Sequence, residues 1–130
     1  MSLAGRLTDL ASRIGAEFRA CIRSDDPRLA RAWVSFGWIG NTIQVASSYN
    51  VASVSRLSAG RYRVTFAAAF SDDNYCWLAF ARSSSNSGVA RVALARATSE
   101  AKTATYVEVA CSTSSTSFGD TTEMNLVIYR

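Results

Sequence analysis

"RYRVTFAAAF" (residues 61–70) puts Tyr62, Val64, Phe66, Ala68 and Phe70 on one side of an extended chain and Arg61, Arg63 and Thr65 on the other. Side chains alternate across a strand, so one face here is apolar and the other polar. This reads as a half-buried antiparallel strand, with the Tyr62, Val64 and Phe66 face in the core. A turn, "SAG" (58–60), precedes it. The turn "SDDN" (71–74) follows, because Asp and Asn side chains bond their own backbone.

The same rhythm extends both ways. "RAWVSFGW" (31–38) sets Trp33, Ser35 and Gly37 against Val34, Phe36 and Trp38, and Gly40-Asn41 is the turn after it. "TIQVASSYNVASVSRL" (42–57) supplies one long or two short strands, with Ser47-Ser48 as the ambiguous point. "YCWLAFAR" (75–82) is apolar on both sides and reads as a central strand. "VARVALARA" (89–97) alternates as a strand, against a competing helical reading from its Ala and Arg content. "TATYVEVACS" (103–112) and "TEMNLVIYR" (122–130) complete the set, and in the last Met124, Leu126 and Ile128 face one way. The expectation is a mainly β protein, an antiparallel sandwich or meander of about seven to eight strands in mostly consecutive order.

The first twenty-odd residues follow a different period. Leu3, Leu7, Leu10, Ile14 and Phe18 are spaced four, three, four and four apart, the single apolar stripe of an amphipathic helix. Pro27 lacks an N–H and biases Asp26 away from the helical basin, so the helix should end near residues 21–23. The expected divisions are a helix at 1–23, a linker at 24–31 and a β domain at 32–130. An isolated helix of this length is marginal in water, so its stripe needs a partner. That partner is either the chain's own sheet or copies of the helix. In a coiled coil Leu3 and Leu10 take d positions and Leu7, Ile14 and Cys21 take a, with Glu17 on d and Phe18 restoring the contact one residue later. The pattern does not choose between two and three strands.

Composition narrows the function. The 130 residues are 48% hydrophobic and 18% charged, which points to a globular chain, and a single proline and seven glycines exclude a collagen-like or proline-rich architecture. No apolar run approaches the roughly 18 residues that span a bilayer, and the opening helix carries Arg6, Asp9, Arg13, Glu17 and Arg19, unlike a signal peptide. A soluble product, without secretion or membrane insertion, is expected. The net charge of +4 is dispersed without a basic run, so nucleic acid is not an expected partner.

There is no histidine, which removes Ser-His-Asp and Cys-His arrangements. Cys21, Cys76 and Cys111 are too widely spaced for a thiolate zinc site. Asp25-Asp26 and Asp72-Asp73 read as turn stabilisers, and Glu108 and Glu123 as solvent-facing strand residues rather than a glycosidase pair. No enzyme, metal or cofactor is expected. What remains is binding through two polar, hydroxyl-rich loops, "SSSNSG" (83–88) and "STSSTSFGD" (112–120). Their candidate contact residues are Ser85, Asn86, Ser115, Phe118 and Asp120, suited to sugars or proteins.

Residues 31–76 also resemble a module of tail-fibre proteins from tailed bacteriophages. The likeness rests on Ala32, Trp33, Val34 and Phe36; on Ser48, Tyr49, Asn50 and Val51; on Gly60, Tyr62, Val64 and Phe66; and on Asp73, Asn74 and Tyr75. The terminal "MNLVIYR" is similar to the way such modules end, and "GRLTDLASRIG" and "SDDPRL" are similar to helical and linker segments of phage fibres. It departs from them at "FGWIGNT", where fibres usually carry a Gly-rich polar turn. The resemblance implies a homotrimeric virion protein, made in the host cytoplasm, with β-sandwich or interleaved β domains around a threefold axis. Its role would be attachment to a host surface glycan or protein. Leu3, Leu7, Leu10, Ile14 and Phe18 would then serve oligomerisation or attachment to other virion structural proteins. The alternative within the same class is a capsid decoration or head-fibre protein attached through its N-terminal helix.

Overall fold

The computed structural model describes residues 2–23, 26–83, 89–113 and 117–130. Helix α1 (Leu3–Cys21) opens the chain. The strands β1 (Ala30–Ile39), β2 (Thr42–Tyr49), β3 (Val51–Ser58) and β4 (Arg61–Phe66) follow. Then come β5 (Cys76–Arg82), β6 (Val92–Leu94), β7 (Tyr106–Ser112) and β8 (Glu123–Tyr129). The protein is mainly β: one N-terminal helix and eight antiparallel strands in two sheets.

The sheets run β2-β1-β8-β5 and β3-β4-β7-β6. Strand order is therefore not consecutive, which corrects the meander expectation. The last strand returns to lie between β1 and β5, and β7 lies between β4 and β6. That placement also corrects the reading of residues 75–82 as central. β8 occupies the central position, β5 becomes an edge, and its alternate side chains stay exposed.

The core forms between the sheets, from the inward residues of the four central strands. Ala32, Val34 and Phe36 of β1 and Met124, Leu126 and Ile128 of β8 face Tyr62, Val64 and Phe66 of β4 and Val107, Val109 and Cys111 of β7. All are buried. Burying each large apolar side chain contributes about 1.5–3 kcal/mol, so these alternating runs account for most of the driving force. Phe36 meets Tyr62 edge to face across the two sheets, centroids 5.2 Å apart. β4 ends at Phe66 instead of running to Phe70; Phe70 still packs on Phe66 at 4.8 Å, while Ala68 is exposed.

Turn chemistry explains the connections. Gly40 and Asn41 both have φ +61°, the doubly left-handed pair that closes a two-residue hairpin between β1 and β2. The break between β2 and β3 falls at Asn50, φ +53°, rather than at Ser47-Ser48. Its side-chain amide donates to the carbonyls of Arg31 and Ala68 and accepts from the Ala68 N–H. One residue thus ties three segments where the chain passes between sheets. Around Asp72 the expected turn forms, with Asn74 N–H donating to its Oδ1 at 2.8 Å. In residues 89–97 only Val92–Leu94 is strand.

α1 stands outside this packing. Ser2 caps it, accepting from Gly5 N–H at 3.1 Å, and the Ile22 N–H closes it onto the Phe18 carbonyl. None of its residues is buried: Leu3, Leu7, Leu10, Ile14 and Phe18 are all half-exposed or more. No helix among the described residues is long and apolar enough to cross a membrane.

Candidate functional site

The strand directions give the sandwich two unlike ends. β1 starts at the entry end, where Ala30 and Cys76 both pair with Tyr129. The far end holds the Gly40-Asn41 turn, the turn between Ser58 and Arg61, and the described flanks of both hydroxyl-rich loops. There Arg82 pairs with Glu123, and Val92 with Ser112. Thr121 Oγ1 donates to the Arg82 carbonyl at 2.6 Å, linking one loop's flank to the other's. The two loops therefore leave and re-enter the sandwich side by side, at the end opposite to the linker from α1.

Of the candidate contact residues, Ser85, Asn86 and Ser115 lie outside the described residues. Phe118 is half-buried, pairs with Ser112 in an isolated bridge, and has the Arg96 guanidinium 4.4 Å from its ring centroid. Asp120 is a brace. Its carboxylate takes both arms of Arg56, at 2.9 and 2.8 Å, the Gly60 N–H at 2.9 Å and the Tyr62 hydroxyl at 2.9 Å. Its oxygens are engaged within the chain, where they tie the end of the loop to β3 and β4. Burial alone would raise its pKa; the Arg56, Gly60 and Tyr62 bonds outweigh that and hold it below the usual range. Arg56 also lies over Trp38, 4.5 Å from its centroid, so the guanidinium locks β1, β3 and the Asp120 loop together.

On the outer face of the second sheet, a group of ion pairs holds the segment between β6 and β7. Glu100 accepts from Arg61 at 2.8 Å and from both Arg96 Nε and Nη2 at 2.8 Å. The Arg96 bonds, its first cause, lower the Glu100 pKa to about 2. Glu108 accepts from Arg63 and from Ala101 N–H. It is buried, which corrects its expected solvent-facing position. Burial pushes it up, and the bonds from Ala101 and Arg63 bring it down to a net lowered value. Glu123 pairs with Arg82 on the outer face of the other sheet, so the two glutamates point away from each other across the sandwich.

The braces at Asp120, Glu100 and Glu108 were missed by strand periodicity. The one available signal was the repeated outward Arg at 61 and 63, which implies acidic partners without saying which. A hollow of about 270 Å³ opens at the far end of the first sheet, lined by Ser35, Gly37, Gln44, Val45, Thr122 and Glu123. It sits where β2 carries an extra residue opposite Ser35 and Phe36, a β-bulge. Among the described residues, no three Cys, Asp or Glu side chains lie close enough together to hold a metal ion. Comparisons with protein-family models, curated proteins and solved structures returned no match.

Proposed function

We propose that the chain is a virion fibre protein that assembles through α1, as a homotrimer, and contacts a host surface with the far end of its β sandwich. The observation that carries this reading is the opposition of two unfinished surfaces. An unburied apolar helix stripe joins one end of the sandwich, and the described flanks of the two hydroxyl-rich loops lie together at the other. A lone helix of 19 residues with this stripe in water is marginal, and association with copies of itself supplies the missing burial. The likeness to tail-fibre modules supports the same division of labour.

Recognition on this reading is non-covalent. Three weak sites on one trimer gain effective concentration, so total adhesion exceeds that of one site by orders of magnitude. The test pairs mass with adsorption. The full chain should scatter light as a trimer and adsorb, when labelled, to susceptible bacteria. The Leu7→Asp/Ile14→Asp chain should be a folded monomer that no longer adsorbs. A wild-type monomer at high concentration overturns the assembly role. A trimer that ignores cells and binds capsid shells overturns the adhesin role in favour of decoration.

A further inference from the structure

The outer faces of the two sheets differ in kind. The second sheet's face carries Arg61, Arg63 and Glu108 and is roofed by the chain's own 95–105 segment through the Glu100 and Glu108 bonds. Among the described residues, no segment of the chain covers the first sheet's face. Register places Tyr49, Trp33, Val127 and Leu78 in one row across all four strands, and Ser47, Ser35, Asn125 and Phe80 in the next. Neither row contains a charge. Tyr49 is 57% exposed, Leu78 49% and Phe80 74%.

We propose that this face of the first sheet packs against the same face of neighbouring copies of the chain, so that the sandwiches, as well as the helices, meet around the common axis. The inference rests on the helix-driven assembly proposed above. Three observations select a second copy as the occupant. The two rows are uncharged and the Arg82–Glu123 pair sits at their far-end margin, so copies can meet on the rows without opposing like charges, whereas the other face is occupied by the ion pairs of Arg61, Arg63 and Arg96 with Glu100 and Glu108. The apolar row lies close to the entry end, three residues into β1, and exposed Ile22 and Leu29 lie along the chain between it and the helix stripe. The area also fits a tethered contact. At about 150–250 Å² per aromatic side chain, the exposed row offers on the order of 400 Å² per copy. A freestanding interface needs about 800 Å² per partner, so the face closes only when the helices hold copies together.

Cys76 provides the readout, because it is exposed and alternates onto the same face as Leu78 and Phe80. The full chain with Cys21→Ser leaves Cys76 as the exposed thiol and Cys111 buried. Maleimide should label Cys76 about ten-fold more slowly in this assembled chain than in the same chain carrying Leu7→Asp/Ile14→Asp. Adding Leu78→Lys/Phe80→Lys should restore fast labelling with the assembled mass unchanged, since both side chains are exposed and the sandwich folds without them. Equal rates in assembled and monomeric chains would overturn the face contact while leaving helix assembly standing. Protection that survives the two lysines overturns it too. A monomeric parent chain overturns both proposals at once.

Discussion

The hydroxyl of Tyr62, a fully buried residue, donates to Asp120 at 2.9 Å and accepts from the Thr121 N–H at 3.2 Å. A side chain that packs against Phe36 inside the sandwich thus holds the segment that leads into β8. Burial raises the Tyr62 pKa far above the usual phenol range, so the hydroxyl stays protonated and available as a donor.

Tyr62→Phe keeps the ring and removes both bonds, leaving the buried Thr121 N–H without this acceptor. The expected cost is about 1–3 kcal/mol, the usual penalty for an unsatisfied buried polar group. Urea unfolding followed by tryptophan fluorescence measures it. A midpoint equal to wild type would show that the Tyr62–Asp120 bond does not carry the loop.

Acid should weaken the fold through Glu100. Its carboxyl is held at about 2 against an ordinary 4.5, so the unfolded chain binds a proton that the folded chain refuses across that interval. Its contribution is fully present above pH about 4.5 and is lost as pH falls toward about 2. Glu100→Gln should therefore differ most from wild type near pH 6 and converge with it near pH 2. Parallel denaturation curves over that range decide the matter; a pH-independent gap would assign the loss to packing.

Gly40 and Gly60 have similar left-handed backbones, φ +61° and +68°, in different surroundings. A Cβ on Gly40 meets nothing within 4 Å, while one on Gly60 would lie 2.5 Å from the Gly119 nitrogen and 2.8 Å from the Cys111 carbonyl oxygen. Gly40→Ala should cost about 1–2 kcal/mol for the backbone conformation alone. Gly60→Ala should cost clearly more, because the loop behind it must move. The comparison of the two melting temperatures isolates the steric part.

Alternation made the core legible: residues 62, 64 and 66 and residues 124, 126 and 128 are buried as their spacing demands. Gly40-Asn41 was legible because only a few residue pairs close so tight a hairpin. Strand partners were not. Period-two patterning says which face of β8 is buried but nothing about whether it pairs with β7 beside it in sequence or with β1 and β5 far away. Residues 75–82 misled for a related reason, since an apolar outer face signals burial by something, and no described segment of the chain provides the cover. Glu108 alternated outward correctly, yet the irregular 95–105 segment, which has no period to read, folds over it. Asp120 looked like a loop contact because its partner Arg56 lies 64 residues away in the chain.

Asn50 offers the sharpest separation of backbone from side-chain effects. It adopts φ +53° at the crossing between sheets, and its amide makes bonds of 3.1, 3.2 and 2.7 Å to Arg31 and Ala68. Asn50→Gly keeps the backbone conformation accessible and deletes the bonds, for an expected loss of about 1–3 kcal/mol. Asn50→Ala deletes the bonds and adds the left-handed penalty, for about 1–2 kcal/mol beyond the glycine variant. Thermal melts of the two variants beside wild type should rank wild type, glycine, alanine. An alanine variant as stable as the glycine one would mean that the crossing relaxes to an ordinary backbone, and that the side-chain amide alone joins the two sheets there.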